Sequence, residues 1–186
     1  MKIILVGIQG SGKSTQGNLL SEKLGIPYLS TGHIFRELAK ERTPLGRYIK
    51  ETMTAGYLIS DEKTNEIVSE YLSRPEYENG YIMDGYPRTV TQAKAFKNGI
   101  DRVIYLEVSD KEALWRLSYR SGEDGEKRED DTLSAVRKRI ELFHKFTEPV
   151  LDYYHKKGKL VKINGEEPIE KIHKEIMKAL VSHEQK

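Results

Sequence analysis

The sequence predicts an α/β domain with a five-stranded parallel sheet and helices on both faces. Helical segments alternate along the chain with five short apolar segments, at residues 2–6, 26–29, 81–84, 102–108 and 159–163. Short, continuous apolar runs are typical of buried parallel strands, and their alternation with helices favours a parallel sheet. The length of 186 residues suits a single domain with a sizeable core.

The first predicted strand leads directly into a glycine-rich turn at residues 7–15, with the sequence G-I-Q-G-S-G-K-S-T. Between a strand and a helix, the pattern G-x-x-x-x-G-K-[ST] predicts a P-loop, in which consecutive backbone N–H groups and the helix N-terminus hold phosphate. We expect Gly7, Gly10 and Gly12 to adopt positive φ and to leave room for phosphate oxygens. The fold class is therefore predicted to be that of the P-loop nucleoside triphosphate hydrolases. The predicted triphosphate ligands are Gly10, Ser11, Gly12, Lys13, Ser14 and Thr15.

Three later helices have recognisable boundaries. Ser109, followed three residues later by Glu112, forms a capping box that begins a helix over residues 110–119. A long helix is predicted over residues 132–157, with a kink or break at Pro149, because proline lacks a backbone N–H. Pro168 marks the first turn of the last helix. The buried face of that helix is predicted to comprise Ile169, Ile172, Ile176 and Leu180.

Two segments do not fit the alternation of strands and helices. Residues 30–60 form a polar excursion of helical character, which we interpret as a half-exposed lobe. Residues 121–131 contain no apolar residue, so we expect a solvated, mobile loop that serves as a lid. The predicted organisation is a core of residues 1–29, 61–119 and 132–186, a lobe of residues 30–60 and a short lid of residues 120–131.

Composition excludes several classes of site. The net charge of +2 gives no case for a nucleic-acid or membrane surface, and no apolar run approaches the roughly 18 residues of a membrane span. The absence of cysteine excludes disulfides, thiolate zinc sites and cysteine nucleophiles. The chain begins without a signal-peptide pattern, which favours a cytoplasmic location.

Further motifs follow the glycine-rich turn in a definite order. They are S-T-G-H-I-F-R at 30–36, M-T-A-G-Y-L-I at 53–59, D-G-Y-P-R-T-V-T-Q at 84–92, R-x-x-x-R at 116–120, R-x-D-D at 128–131 and V-R-K-R at 136–139. Together with the P-loop, these motifs resemble those of the adenylate kinases, within the nucleoside monophosphate kinase family. The resemblance covers effectively the whole chain, and the short segment between Arg120 and Arg128 is similar to the short-lid type.

The resemblance implies reversible phosphoryl transfer from Mg·ATP to AMP, giving two ADP. The implied partners are these small nucleotides, with Mg²⁺ as the cofactor and without zinc, nucleic acid or membrane. A monomer is expected, with a higher oligomer left open.

The resemblance also implies roles for individual residues. The implied acceptor site for AMP comprises Thr31, Arg36, Tyr57, Leu58, Ile59, Gly85, Arg88, Gln92, Arg128 and Arg139. The implied ATP site adds Arg116, Arg120 and the backbone near Glu167 to the P-loop. Asp84 would hold Mg²⁺ through water. The implied catalytic residues are Lys13, Arg88, Arg120, Arg128 and Arg139.

Residue chemistry supports this interpretation independently. Phosphoryl transfer depends mainly on positioning and charge stabilisation, and guanidinium binds phosphate bidentately without losing its charge. Six arginines lie beside glycines, in loops or at helix ends: Arg36, Arg88, Arg116, Arg120, Arg128 and Arg139. Taken singly, each could be a solvated surface charge, and Arg116 and Arg139 could simply lie on exposed helix faces.

Gln92 is the main sequence indication of the acceptor base. Its amide carries both a donor and an acceptor, so it can pair with the two polar edge atoms of adenine, although taken alone it could be a surface glutamine. One alternative is a UMP/CMP-type or broad-specificity kinase, for which asparagine is expected at this position. An alternative of another class is a nucleotide-binding switch or RNA-processing adaptor, which would not need Arg36, Arg88 and Gln92.

Two residues depart from the family pattern. His33 stands where most adenylate kinases carry aspartate, and Ser14 where they usually carry glycine. We hypothesise that Ser14 ligates Mg²⁺ directly, as in other P-loops, and offsets the change at position 33. Because the implied contacts with the ATP base are stacking and backbone contacts, we also expect loose selectivity among nucleoside triphosphate donors.

Overall fold

The computed structural model describes residues 1–119 and 132–184. Its strands are β1 (Lys2–Val6), β2 (Tyr28–Ser30), β3 (Tyr81–Asp84), β4 (Arg102–Glu107) and β5 (Leu160–Asn164). They form one sheet in the order β2-β3-β1-β4-β5, and every described pair of neighbouring strands is parallel. The predicted α/β fold class and five-stranded parallel sheet are confirmed.

Helices connect and cover the strands. They are α1 (Lys13–Leu24), α2 (Thr31–Lys40), α3 (Pro44–Thr54), α4 (Asp61–Leu72), α5 (Val90–Ala95), α6 (Asp110–Ser118), α7 (Leu133–Leu142), α8 (Glu148–Lys156) and α9 (Ile169–Glu184). A short 3₁₀ turn precedes β3, at Pro75–Tyr77. The excursion at residues 30–60, predicted to be helical, contains α2 and α3. Residues 120–131, predicted to be a lid, lie outside the described residues.

The core has two layers because successive strand residues point to opposite faces of the sheet. In β1, Ile4 and Val6 pack into one cluster, whereas Ile3 and Leu5 pack into the other. The second cluster also contains Leu20 of α1 and the apolar face of α9. Both faces of the sheet are therefore buried under helices, which explains why the strands read as continuous apolar runs.

The second strand begins later than the sequence predicted. The prediction was residues 26–29, but β2 runs over Tyr28–Ser30. The carbonyl of Pro27 accepts a hydrogen bond from the backbone N–H of Ile82, yet proline has no N–H with which to continue the ladder. Pro27 thus explains why β2 begins at Tyr28, later than the apolar pattern alone predicts.

The long helix predicted over residues 132–157 is interrupted, as expected, but before its proline. A π-helical segment at Phe143–Thr147 separates α7 from α8, and Pro149 lies in the first turn of α8. Proline cannot donate to the carbonyl four residues earlier, so the helical hydrogen-bonding pattern changes in the turn that precedes it. The N–H groups in the first turn of a helix have no partner within that helix, so the missing N–H of Pro149 removes no hydrogen bond from α8.

The last helix buries most of the face that its spacing predicted. Ile172, Ile176 and Leu180 are almost fully buried, but Ile169 is 49% exposed, so its predicted burial is wrong. Ile169 is the first residue of α9 and borders the cleft described below. None of the helices within residues 1–119 and 132–184 combines the length and apolarity needed to cross a membrane.

Candidate active site

The carboxyl ends of β1, β2 and β3 meet at one edge of the sheet. Leu5 of β1 is paired with Asp84 of β3, and Asp84 with Ser30 of β2. Because the strands are parallel, the segments that follow them lie side by side, in the position where open α/β sheets bind ligands. These segments border a cleft of about 880 Å³.

Nearly all the predicted site residues of the described chain line this cleft. They are Gly10, Ser11, Gly12, Lys13, Ser14, Thr15, Arg36, Tyr57, Leu58, Ile59, Asp84, Gly85, Arg88, Gln92, Arg116, Arg139 and Glu167. Thr31 is the exception among the described site residues, since it is fully buried and its hydroxyl donates to the backbone carbonyl of Asp84 at 3.1 Å. Its contact with a base stays a prediction. Arg120 and Arg128 lie outside the described residues.

The glycine-rich loop closes on its own lysine. Gly10 and Gly12 adopt φ of 88° and 89°, as expected. Lys13 Nζ donates to the carbonyls of Gly7 and Ile8 at 2.8 and 2.9 Å, which holds the ammonium group inside the loop. The positive φ expected at Gly7 is wrong. Position 7 instead requires glycine because of close packing, since a Cβ there would lie 2.4 Å from Ser11 Oγ.

Asp84 presents a buried carboxylate at the end of β3. Its Oδ2 accepts a hydrogen bond of 3.0 Å from the Tyr28 hydroxyl, and burial, reinforced by the Asp84 charge, raises the pKa of Tyr28 far above its usual value. The tyrosine therefore stays protonated and remains a donor. The other oxygen, Oδ1, is also buried, and no hydrogen-bond partner reaches it from residues 1–119 or 132–184.

An orphaned carboxylate oxygen beside a phosphate-binding loop suits Mg²⁺. This ion usually takes one or two protein ligands and completes its shell with water and substrate phosphates. Ser14 is exposed in the first turn of α1 and lines the same cleft as Asp84. Within the described parts of the chain, no group of three or more His, Asp or Glu side chains forms a ready-made metal cage. Asp84 and Ser14 thus fit an ion that arrives with nucleotide.

The turn after β3 places Arg88 in the cleft. Gly85 has φ of 83°, and a Cβ there would lie 2.4 Å from Thr31 Oγ1, so only glycine fits. The carbonyl of Gly85 accepts a hydrogen bond of 2.7 Å from Arg88 Nε. The guanidinium is therefore anchored through one nitrogen to the turn that carries it.

Gln92 is buried, with only 1% of its surface exposed. Its Oε1 accepts a hydrogen bond of 2.7 Å from the backbone N–H of Arg88, and its Nε2 donates to Asp61 Oδ1 at 2.8 Å. The interpretation as a surface glutamine is wrong. Sequence reasoning missed Asp61, and no local pattern would have revealed it, since 31 residues separate it from Gln92.

The opposite flank of the cleft is formed by the segments that follow β4 and β5. Arg116 donates from Nε to Glu112 Oε1 at 2.7 Å, and both side chains line the cleft together with the half-exposed Trp115. Arg116 therefore does not lie on a fully solvated helix face. The sequence predicts Glu112 only as a capping residue, although its i,i+4 spacing from Arg116 on one helix is a recognisable signal of an ion pair. Glu167 forms an ion pair with Lys171 at 3.0 Å.

Arg139 extends from α7 toward the centre of the cleft, where it contacts the glycine-rich loop and the end of α3. The segment after α3 packs closely on α7, because a Cβ at Gly56 would lie 2.6 Å from the carbonyl oxygen of Ala135. Tyr57, the next residue, is 56% exposed and lies under the ammonium of Lys138. The helix that carries Arg139 and the segment that follows α3 are thus in direct contact.

A comparison with protein families agrees with this arrangement. The family model described as adenylate kinase matches residues 5–159. The chain belongs to the adenylate kinase family. An adenylate kinase from Caldicellulosiruptor bescii is 39% identical, with 97% of this chain and 99% of that protein covered. An adenylate kinase from Brucella ovis is 41% identical, with the same coverage of both chains.

Family membership makes the chain a phosphotransferase of the nucleoside monophosphate kinase class. The described cations of the cleft are Lys13, Arg36, Arg88, Arg116 and Arg139. Two nucleotides that exchange a phosphoryl group are both anionic, and such cations offset the repulsion between their phosphates. His33, one of the two departures from the family pattern, is exposed and also lines the cleft.

Proposed function

We propose that the chain transfers the terminal phosphoryl group of Mg·ATP reversibly to AMP, giving two ADP. The order of the strands carries this proposal. The glycine-rich loop follows β1, the central strand, while Arg36 and Gln92 follow β2 and β3 on one side and Arg116 and Glu167 follow β4 and β5 on the other. The phosphates would meet over the centre of the sheet, with one nucleoside on each flank.

The chemistry of the two flanks supports different substrates. The acceptor flank offers the buried amide of Gln92 and the anchored guanidinium of Arg88, a pair suited to a base edge and a phosphate. The donor flank offers Trp115, Arg116 and Ile169, whose side chains provide stacking and apolar contact. Its two carboxylates, Glu112 and Glu167, are already paired with Arg116 and Lys171. We therefore propose selective use of AMP and relaxed use of triphosphate donors.

When bound, Mg²⁺ would offset charge on the phosphates, and Asp84 and Ser14 are the residues proposed to hold it. Lys13, Arg88 and Arg139 would fix the phosphates of the two nucleotides in line. Arg120 and Arg128 stay predicted as further catalytic cations. The monomeric state and the cytoplasmic location also stay predictions.

A coupled assay with ATP and each of AMP, CMP, UMP and GMP tests the proposed function. We expect AMP to be preferred over each of the others by about tenfold or more, because one unmatched buried polar contact has that effect on binding. Preference for a pyrimidine acceptor, or no transfer to any monophosphate, would contradict the proposal. With AMP as acceptor, similar rates with GTP, CTP and UTP would support relaxed donor use, and strict dependence on ATP would exclude it.

A further inference from the structure

Asp61 begins α4 and directs its carboxylate at the segment that carries the acceptor-site residues. Its Oδ1 accepts a hydrogen bond of 2.8 Å from Gln92 Nε2 and one of 3.0 Å from the hydroxyl of Thr89. That hydroxyl in turn accepts from the backbone N–H of Gln92 at 3.1 Å. The carboxylate therefore connects the start of α4 to the side chain of Gln92 directly and to the backbone N–H of Gln92 through Thr89.

The two anchors of Gln92 define which end of its amide points in which direction. An ionised carboxylate has only acceptors, so the amino end of the amide must face Asp61. A backbone N–H is only a donor, so the oxygen end must face Arg88, at the observed 2.7 Å. A half-turn of the amide would create two mismatched contacts at a buried side chain, which is strongly unfavourable.

The same anchors leave part of the amide available to a ligand. A glutamine amide has two N–H groups and two lone pairs on oxygen, and each anchor uses one of them. Because Gln92 also lines the cleft, the remaining donor and acceptor are presented in one set order. Adenine offers a donor at its 6-amino group and an acceptor at N1, whereas hypoxanthine and guanine offer the reverse at the same two positions.

We propose that Asp61 is a positioning residue that makes the acceptor site select a 6-aminopurine, by preventing the half-turn of the Gln92 amide. A glutamine free to turn would match either edge and would not discriminate between them. The inference rests on the proposed function, because AMP as the acceptor decides which of the two edges the anchored amide matches.

Asp61→Asn tests this role with little change of shape. An asparagine can present either its oxygen or its amino group to Gln92, so both orientations of the glutamine amide become tolerable. The measurement is the ratio of kcat/KM for AMP to kcat/KM for inosine monophosphate. The base of inosine monophosphate carries the reversed donor and acceptor at position 6 and N1, without a 2-amino group. The AMP preference should fall by about tenfold in Asp61→Asn, mainly through KM. The matched control is Glu62→Gln, which neutralises the exposed neighbouring carboxylate and should keep the preference.

The outcomes separate this inference from the proposed function. An unmodified chain that phosphorylates no monophosphate would overturn the proposed function. An active chain whose preference is the same in Asp61→Asn, or that loses activity equally with both acceptors in this variant, would overturn only the role of Asp61. If Asp61→Asn does not fold, the pair Asp61→Glu and Asp61→Gln, matched in length, replaces it. The glutamate variant should then retain a stronger preference for AMP than the glutamine variant, and equal preferences would overturn the inference.

Discussion

Arg139 on α7 donates from Nη1 to Oε1 of Gln9, in the glycine-rich loop, at 3.1 Å and across 130 residues of sequence. Its Nη2 donates to the backbone carbonyl of Met53, near the end of α3, at 3.0 Å. One planar guanidinium therefore contacts both the glycine-rich loop and α3. Lysine has no such rigid pair of donor groups and cannot reproduce both contacts.

We expect Arg139→Lys to lower kcat by roughly 100-fold, the effect of removing one preorganised charge-stabilising group from an active site. The measurement is steady-state kinetics with ATP and AMP. Arg137→Ala is the control, because this residue is exposed on the same helix, and its kcat should change less than about twofold. A kcat for Arg139→Lys within a factor of about three of the unmodified chain would contradict the catalytic role proposed for Arg139.

Tyr28→Phe should lower stability and weaken the response to Mg²⁺. The substitution removes the donor to Asp84 Oδ2 and leaves a second carboxylate oxygen buried without this bond. We expect a loss of about 1–3 kcal/mol in the free energy of unfolding, measured by urea denaturation, and a higher Mg²⁺ concentration for half-maximal activity. Tyr119→Phe, at a residue that is 74% exposed, should change neither quantity. A stable Tyr28→Phe variant with normal Mg²⁺ dependence would show that the bond is dispensable.

Ser14→Gly tests the hypothesis that this hydroxyl ligates Mg²⁺. Loss of a metal contact should raise the Mg²⁺ concentration for half-maximal activity by roughly tenfold. Ser14→Thr retains the hydroxyl and should keep the original requirement, since serine and threonine are interchangeable at this position of P-loops. An unchanged requirement in Ser14→Gly would refute the hypothesis.

Gly17→Ala should destabilise the chain although alanine favours helices. A Cβ at Gly17 of α1 would lie 2.4 Å from Cε2 of Tyr28, so the ring would have to move. Overpacking of this kind costs about 1–3 kcal/mol, more than the gain of up to about 1 kcal/mol from replacing glycine in a helix. Gly32→Ala is the control, since its nearest neighbour would lie at 3.4 Å, an ordinary contact. Because Gly32 lies in α2 and has room for a Cβ, urea denaturation should find Gly32→Ala at least as stable as the unmodified chain, with a gain of up to about 1 kcal/mol. A stabilised Gly17→Ala would contradict the expected clash.

His144 should make the stability of the chain depend on pH. Its ring nitrogens lie 2.8 Å from Glu148 Oε1 and 2.9 Å from Asp110 Oδ1, and these carboxylates raise the pKa of His144 above its usual 6.5. A raised folded-state pKa stabilises the chain fully below about pH 6.5, and this stabilisation disappears as the pH rises through the folded-state value. Because the side chain is 44% exposed, solvent limits the effect to about 1 kcal/mol or less.

His144→Gln should therefore lower the free energy of unfolding more at pH 5.5 than at pH 9. The measurement is urea denaturation at the two pH values. In the background Asp110→Asn with Glu148→Gln, the same substitution should lose this difference, because the carboxylates that raise the pKa are gone. An equal effect of His144→Gln at both pH values in the original background would refute the prediction.

Local patterns predicted the regular elements and the glycine-rich loop, whereas most of the other site residues were implied by the resemblance to a family. Most of the predicted residues in the described chain line the cleft, and their roles stay predictions. The apolar run of β1, the glycine spacing of residues 7–15 and the capping residue Ser109 act over a few neighbouring residues, so their consequences are visible in sequence. Pro27 and Pro149 show the limit of such patterns. The apolar pattern predicted β2 and the long helix approximately. The missing N–H of Pro27 determines where β2 begins, and that of Pro149 determines where the hydrogen bonding of the long helix changes.

By itself, the sequence determined that a glycine-rich phosphate loop follows a buried strand and that several arginines accompany it. Only the tertiary structure decided that Asp61 anchors Gln92, that Tyr28 holds Asp84 and that Arg139 reaches Gln9, across 31, 56 and 130 residues respectively. In the folded chain Thr31 is also buried, whereas Ile169 is exposed beside the cleft. The physical reason is that propensity and spacing depend on nearby residues. The partner of a buried polar group depends instead on which strand ends the packed sheet brings together.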